Sequence, residues 1–168
     1  WQIEHEHRVN RGYVFSSAFI ENDVAEEEFR AKNPQIEQTR VVRFRTGRYE
    51  RTWVKNVVAI GNASGFVEPL EATALSVIGE ECQALVHSLT ECDLSPTPSI
   101  LREYNDRSRR IWESIRNFLG VHYRFNSRSD TDFWRECREK VELHDAERIV
   151  SYYLENGPGT AYREFMID

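Results

Sequence analysis

Residues 13–20 (YVFSSAFI) alternate and are rich in β-formers, which predicts a strand. Asn22 or Asp23 is then placed to cap a short helix through Lys32, closed by Asn33-Pro34. Residues 40–45 (RVVRFR) and 49–55 (YERTWVK) alternate on either side of Thr46-Gly47-Arg48, the pattern of a hairpin with a glycine turn. Val57 to Ile60 is a continuous apolar run, as in a strand buried on both faces. Beyond Pro69 the period becomes helical. Leu75, Ile78, Cys82, Leu85 and Leu89 form one stripe. Ile100, Tyr104, Ile111, Ile115, Phe118 and Leu119 form a second, behind the cap-like SPTPS at 95–99. Two shorter helices follow: DFWRECREKV, capped by Asp130 or Thr131, and HDAERIVSYYLEN, stopped by Asn156-Gly157-Pro158. The expected fold class is α+β, a small sheet portion up to about Ile60 followed by a mostly helical region. The expected division is residues 1–75 and 76–168.

Composition narrows the function classes. With 168 residues and 40% hydrophobic content the chain can bury a real core. A net charge of −6 and the lack of a clustered basic face argue against nucleic acid. Cys82, Cys92 and Cys137 are odd in number and lack metal-type spacing, so reduced, buried thiols of a cytoplasmic protein are expected. No leader-like segment and no 18-residue apolar run occur, which indicates neither secretion nor a membrane span. The chain opens at Trp1 without a methionine, as expected of a piece of a longer protein.

The stretch GNASGFVEPLEATAL, residues 61–75, carries the candidate chemistry. An apolar strand that runs through a small-residue loop into a helix near Pro69 aims free N–H groups and a positive dipole end past the strand. Gly61 and Gly65 would let a ligand approach the main chain, and Pro69 suits a first helical turn. The plainer alternative is an ordinary strand-to-helix connection, with Glu68 and Glu71 as acidic first-turn residues.

Residues 53–75 (WVKNVVAIGNASGFVEPLEATAL) resemble a flavin-contacting segment of the flavin-dependent halogenases, the tryptophan halogenase family. Trp53, Asn56, Ile60, Gly61, Gly65, Phe66, Glu68, Pro69, Leu70, Glu71 and Thr73 fall on its pattern. RGYVFSS at 11–17, Gly47-Arg48, Tyr104-Asn105, IRNFLGVHY at 115–123 and DFW at 132–134 also look like family positions, so the likeness runs to about Trp134. The resemblance implies a Rossmann-type FAD-binding fold in which reduced flavin, oxygen and halide yield hypochlorous acid. A lysine then passes the oxidant to a bound aromatic such as tryptophan or indole. It further implies FAD reduced by a separate flavin reductase, with chloride or bromide as halide. Thr73 and the N–H of Ala74 match the halide donors, and Glu71 matches the catalytic glutamate facing the substrate. Gly61, Asn62, Gly65 and Ala72 match flavin-contacting positions.

Several positions depart from the family pattern. Ala72 stands where serine is usual, Ala74 where glycine is frequent, and Glu4 where the W-x-W-x-I-P motif has proline. Halide binding at Ala74 would suffer only if the backbone there needed positive φ. Neither a G-x-G-x-x-G fingerprint nor the family's lysine lies within the 168 residues. Lys32, Lys55 and Lys140 read as solvated surface. Two alternatives stay open: a related flavin-dependent monooxygenase, and a helical binding fragment that keeps the fold without the chemistry. Strand edges left bare before Ile60 would favour a homo-oligomer.

Other groups carry weaker signals. His5 and His7 at i, i+2 lack a third metal ligand. His122-Tyr123 reads as a packed or capping pair. Phe133-Trp134 and Tyr152-Tyr153 fit helical core positions, with pocket lining as the alternative. Arg107 to Arg110 with Asp106 and Glu113 reads as an ion-paired helix face.

Overall fold

The computed structural model describes residues 1–68 and 72–158. Among the described residues three separate two-stranded antiparallel ladders precede the four C-terminal helices. β1 (Gln2–His5) pairs with β2 (Arg8–Arg11) in a local hairpin. Between it and the remaining strands lies α1 (Asn22–Lys32). β3 (Gly47–Arg48) pairs with the distant β6 (Gly65–Phe66), while β4 (Trp53–Val54) pairs with β5 (Val57–Val58). Then come α2 (Thr73–Glu91), α3 (Pro98–Arg124), α4 (Asp132–Lys140) and α5 (Ala146–Asn156). The architecture is α+β, with small sheets beside a helical body.

The helical half follows its sequence signals closely. Thr97 caps α3 by accepting from the Ile100 N–H, with Pro98 in the first turn where its missing donor costs nothing. Thr131 caps α4 through the Trp134 N–H, and Gly157 (φ 73°) ends α5 in the left-handed region. α1 differs in detail: its cap position is Glu21, one residue before the expected caps, with no side-chain hydrogen bond.

α2 and α3 pack into the core, and here the inward face of α2 differs from the expected stripe. Val77, Glu81 and Ala84 are buried, whereas Leu75 and Ile78 are exposed and Leu85 and Leu89 only flank the cluster. A glutamate in an apolar row normally marks the outer face. Glu81 is buried because three donors from two segments, the 61–64 loop and α3, meet its carboxylate, which turns the helix by about one residue step, roughly 100°. Cys82 is consequently exposed, and of the three thiols only Cys137 is buried. On α3 the expected stripe holds for Tyr104, Ile111, Ile115 and Leu119, joined by Trp112.

The sheet portion departs most. Residues 13–20 form no strand: Phe19 and Ile20 both donate to the Ser16 carbonyl in a turn, and Tyr13 stacks on Phe29 of α1. The hairpin expected about residues 46–48 is absent, because Gly47 and Arg48 pair with residues far along the chain and 40–45 pair with nothing regular. The hairpin that does form lies one element later, turning at Lys55-Asn56 with Lys55 at φ 56°. The Trp53 indole N–H fastens that turn by donating to the Lys55 carbonyl at 3.0 Å. Val57 is consequently exposed and Val58 half-buried, so β5 is no doubly buried strand.

Candidate functional site

The segment between β5 and α2 is held from inside by polar side chains of α2 and α3. Gly61–Ala63 forms one 3-10 turn, entered with Gly61 at φ 59°. The Gly61 N–H donates to Glu81 Oε2 at 2.7 Å, and the Ser108 hydroxyl donates to Glu81 Oε1 at 2.6 Å. Ser64, fully buried, places its hydroxyl 2.8 Å from both the Gly61 carbonyl and Glu81 Oε2, and accepts from the Trp112 indole N–H at 3.1 Å. Both glycines are required by the protein's own packing. A Cβ at Gly61 would lie 2.5 Å from Ile78, and one at Gly65 would lie 2.9 Å from Arg48 and Trp112. Asn62 and Ala63 face outward.

α2 begins at Thr73, four residues later than the expected start at Pro69. Ala72 occupies its cap position in the left-handed region at φ 52° and offers no side-chain acceptor. For alanine this conformation costs about 1 kcal/mol relative to glycine. Ala74 lies within the helix, so the positive φ that would have weakened a donor there belongs to Ala72 instead. The 19-residue helix thus has first-turn N–H groups at Thr73 and Ala74 that the Ala72 side chain does not cap. Together with the helix dipole and the Thr73 hydroxyl, this donor set suits an anion. The 61–63 turn packs on α2 at Ile78, little more than one helical turn from Thr73. Pro69, Leu70 and Glu71 lie outside the described residues.

Glu68 is therefore not a first-turn residue. Its carboxylate accepts a hydrogen bond from the Tyr123 hydroxyl, and that pairing, together with burial, pushes the Tyr123 phenol up to about 12, burial being the larger cause. Tyr123 stacks on Trp134 with ring centres 5.4 Å apart, and Phe133 meets both rings edge-on and reaches Phe19. The Phe133-Trp134 pair thus joins an aromatic cluster beside the site loop. Tyr152 and Tyr153 instead remain substantially exposed.

The weaker candidates resolve simply. His122 bonds the Phe118 carbonyl within its own helix at 2.8 Å. His5 ends β1 and lies 3.2 Å from the Asn10 amide, whereas His7 sits in the following turn. Among the described residues no group of three His, Cys, Asp or Glu side chains is placed to hold a metal, and no helix is long and apolar enough to cross a membrane. Arg109 does pair with Asp106 and Glu113, and Arg110 with Glu103.

Glu81, Ser108 and Trp112, which build the loop, have no assigned place in the sequence reading, and Asn105 appears there only as a family position without a role. The Asn105 side chain accepts from the Thr52 and Trp53 N–H groups at 2.7 and 2.8 Å and donates to the Trp53 carbonyl at 3.0 Å, clamping β4 onto α3. The sequence carries no signal for Glu81, which stands between Glu80 and Cys82-Gln83 like any surface carboxylate.

The fold is one of short ladders braced by two long helices, with a helix start beside a glycine turn. The profile of the tryptophan halogenase family matches residues 1–166, and the chain belongs to that family. It is 35% identical over 157 residues to tryptophan 7-halogenase RebH of Lentzea aerocolonigenes, covering 90% of this chain and 29% of that protein. Among solved structures, BrvH, a flavin-dependent halogenase from Brevundimonas sp. BAL3, is 37% identical with a TM-score of 0.76, over 91% of this chain and 31% of that one. Xcc4156, a flavin-dependent halogenase from Xanthomonas campestris, superposes with a TM-score of 0.83 at 29% identity, over 95% of this chain and 32% of that one. The chain therefore spans roughly a third of the length of these relatives.

Proposed function

We propose that this chain forms the halide-side and substrate-side portion of an FAD-dependent halogenase acting on an electron-rich aromatic such as tryptophan or another indole. The observation that carries the reading is the start of α2 at Ala72, Thr73 and Ala74, with no side-chain cap from Ala72, next to the Gly61–Ala63 turn, in a chain of the tryptophan halogenase family. The residues present fit the cofactor's demands: two main-chain donors, a hydroxyl and a helix dipole converge where a halide and an electron-rich flavin both need positive potential. Bound there, reduced FAD would supply the oxygen-activating chemistry that converts halide into an oxidant.

The chain's own residues have simpler tasks. The Thr73 hydroxyl and the Ala74 N–H donate to halide, a charge-assisted pair in a half-buried place. Asn62, Ala72 and the main chain at Gly61 and Gly65 border the flavin. By the family resemblance Glu71 orients the aromatic ring, and the Tyr123, Phe133 and Trp134 cluster could line its pocket. Within this reading residues 1–75 serve flavin and halide and 76–168 the substrate. A separate flavin reductase delivers the reduced cofactor, chloride or bromide is the halide, and the protein is cytoplasmic and homo-oligomeric. Incubating the complete gene product with FAD, a flavin reductase, NADH, bromide and a panel of indoles, followed by mass spectrometry, should give a product heavier by one bromine for hydrogen. Oxygen insertion without halogen would move the protein to the flavin monooxygenases.

A further inference from the structure

Glu81 is wholly buried, with no ion pair to a cationic side chain among the described residues, and both of its oxygens are engaged by hydrogen-bond donors. Two of the three donors, the Gly61 N–H and the Ser64 hydroxyl, belong to the loop, and the third, Ser108, braces the carboxylate from α3. The Ser64 hydroxyl has one proton to give and two acceptors within 2.8 Å, so Glu81 competes with the loop's own Gly61 carbonyl for it. Gly61 sits in the left-handed region at the point where the Glu81 bond is made. An aliphatic side chain at 81 would leave the Gly61 N–H buried and unpaired, and the turn would have to reopen to satisfy it.

We infer that Glu81 is a positioning residue that sets the shape of the Gly61–Gly65 turn and thereby the flavin affinity of this end of α2. The inference rests on the flavin-binding reading above. It assigns to a buried side chain, outside the E-P-L-E-x-T element, the task of holding the main chain that borders the cofactor. Glutamine can do part of the work, because its carbonyl still accepts from the Gly61 N–H while its amide donates to the Ser108 oxygen.

The test is an FAD titration, followed by flavin fluorescence, of the complete gene product and its Glu81→Gln, Glu81→Leu and Ile115→Ala variants, at a temperature where circular dichroism shows each folded. Ile115→Ala removes core packing but no hydrogen bond to the turn. Glu81→Leu should bind FAD about tenfold more weakly or worse, with Glu81→Gln and Ile115→Ala within about threefold of the parent. Parent-like binding by Glu81→Leu, or an equal loss in Ile115→Ala, would overturn the inference while leaving the proposed function standing. If Glu81→Leu does not fold, Ser64→Ala decides. A loss of about threefold or more supports the inference, and unchanged binding overturns it. A parent protein that binds no FAD at all would instead sink the proposed function, and this inference with it.

Discussion

Residues 1–12 and residues 47–66 are both built from very short strands, yet they are held by opposite means. The first is a hairpin secured by its own ladder, with every residue of β1 exposed, and Arg11 reaches out to Gln2 and to Asn33 beyond α1. The second has two-residue ladders too short to stand alone. It is stable because side chains on helices hold it: Asn105 and Glu81 satisfy its backbone N–H groups, Trp112 donates to the Ser64 hydroxyl, and Ser108 braces the Glu81 carboxylate. A loop that must hold an unusual shape near chemistry gains more from rigid helical anchors than from pairing with another loop.

Breaking the anchors should therefore cost far more than breaking the hairpin. Asn105→Leu strands the buried N–H groups of Thr52 and Trp53 and should lower stability by about 3 kcal/mol, measured by urea unfolding followed through tryptophan fluorescence. Tyr104→Phe should act in the other direction. The Tyr104 hydroxyl is buried without a hydrogen-bond partner among the described residues, and burial, with Glu81 nearby, raises its phenol pKa. Removing that hydroxyl should add about 1 kcal/mol in the same assay, and a loss of similar size would show that the hydroxyl does have a partner.

A smaller effect should appear at alkaline pH. The Tyr123 phenol is raised from 10.0 to about 12 in the folded state, so its neutral form is the one the fold favours. Its contribution is fully present below pH 10 and is lost as pH climbs from about 10 to about 12, where an unfolded chain would already be ionised. Tyr123→Phe should make the alkaline decline shallower in a series of thermal melts. The effect stays modest because the ring is only half-buried. Smallest of all, Arg11→Ala in the hairpin should shift stability by no more than about 0.5 kcal/mol, because its bond to Gln2 is exposed and its bond to Asn33 only part-buried. A loss matching that of Asn105→Leu would erase the distinction between the two regions.

The same contrast explains what could be read in advance. Helices α3, α4 and α5 carry their limits in their chemistry, through Thr97 and Pro98, Thr131, and Gly157. The glycine turn and the place of Thr73 and Ala74 near a helix start were legible too. The start itself was misplaced, because a helix-compatible proline at 69 precedes an alanine at 72 that takes the left-handed cap with no side-chain signal. The pairing of β3 with β6 was out of reach, since two-residue ladders have no period and their partners lie far apart in sequence. Burial of Glu81 was equally hidden: a carboxylate reads as surface until its three donors are seen around it.

If the start of α2 holds the halide as proposed, Thr73→Val should weaken it, because valine keeps the shape and deletes one donor. The measurement is product formation by the complete gene product against bromide and chloride concentration, with FAD affinity determined alongside. The account predicts a tenfold to hundredfold rise in the halide concentration needed, equivalent to roughly 1.5 to 3 kcal/mol, with FAD affinity nearly unchanged. Halide dependence identical to that of the parent protein would contradict it.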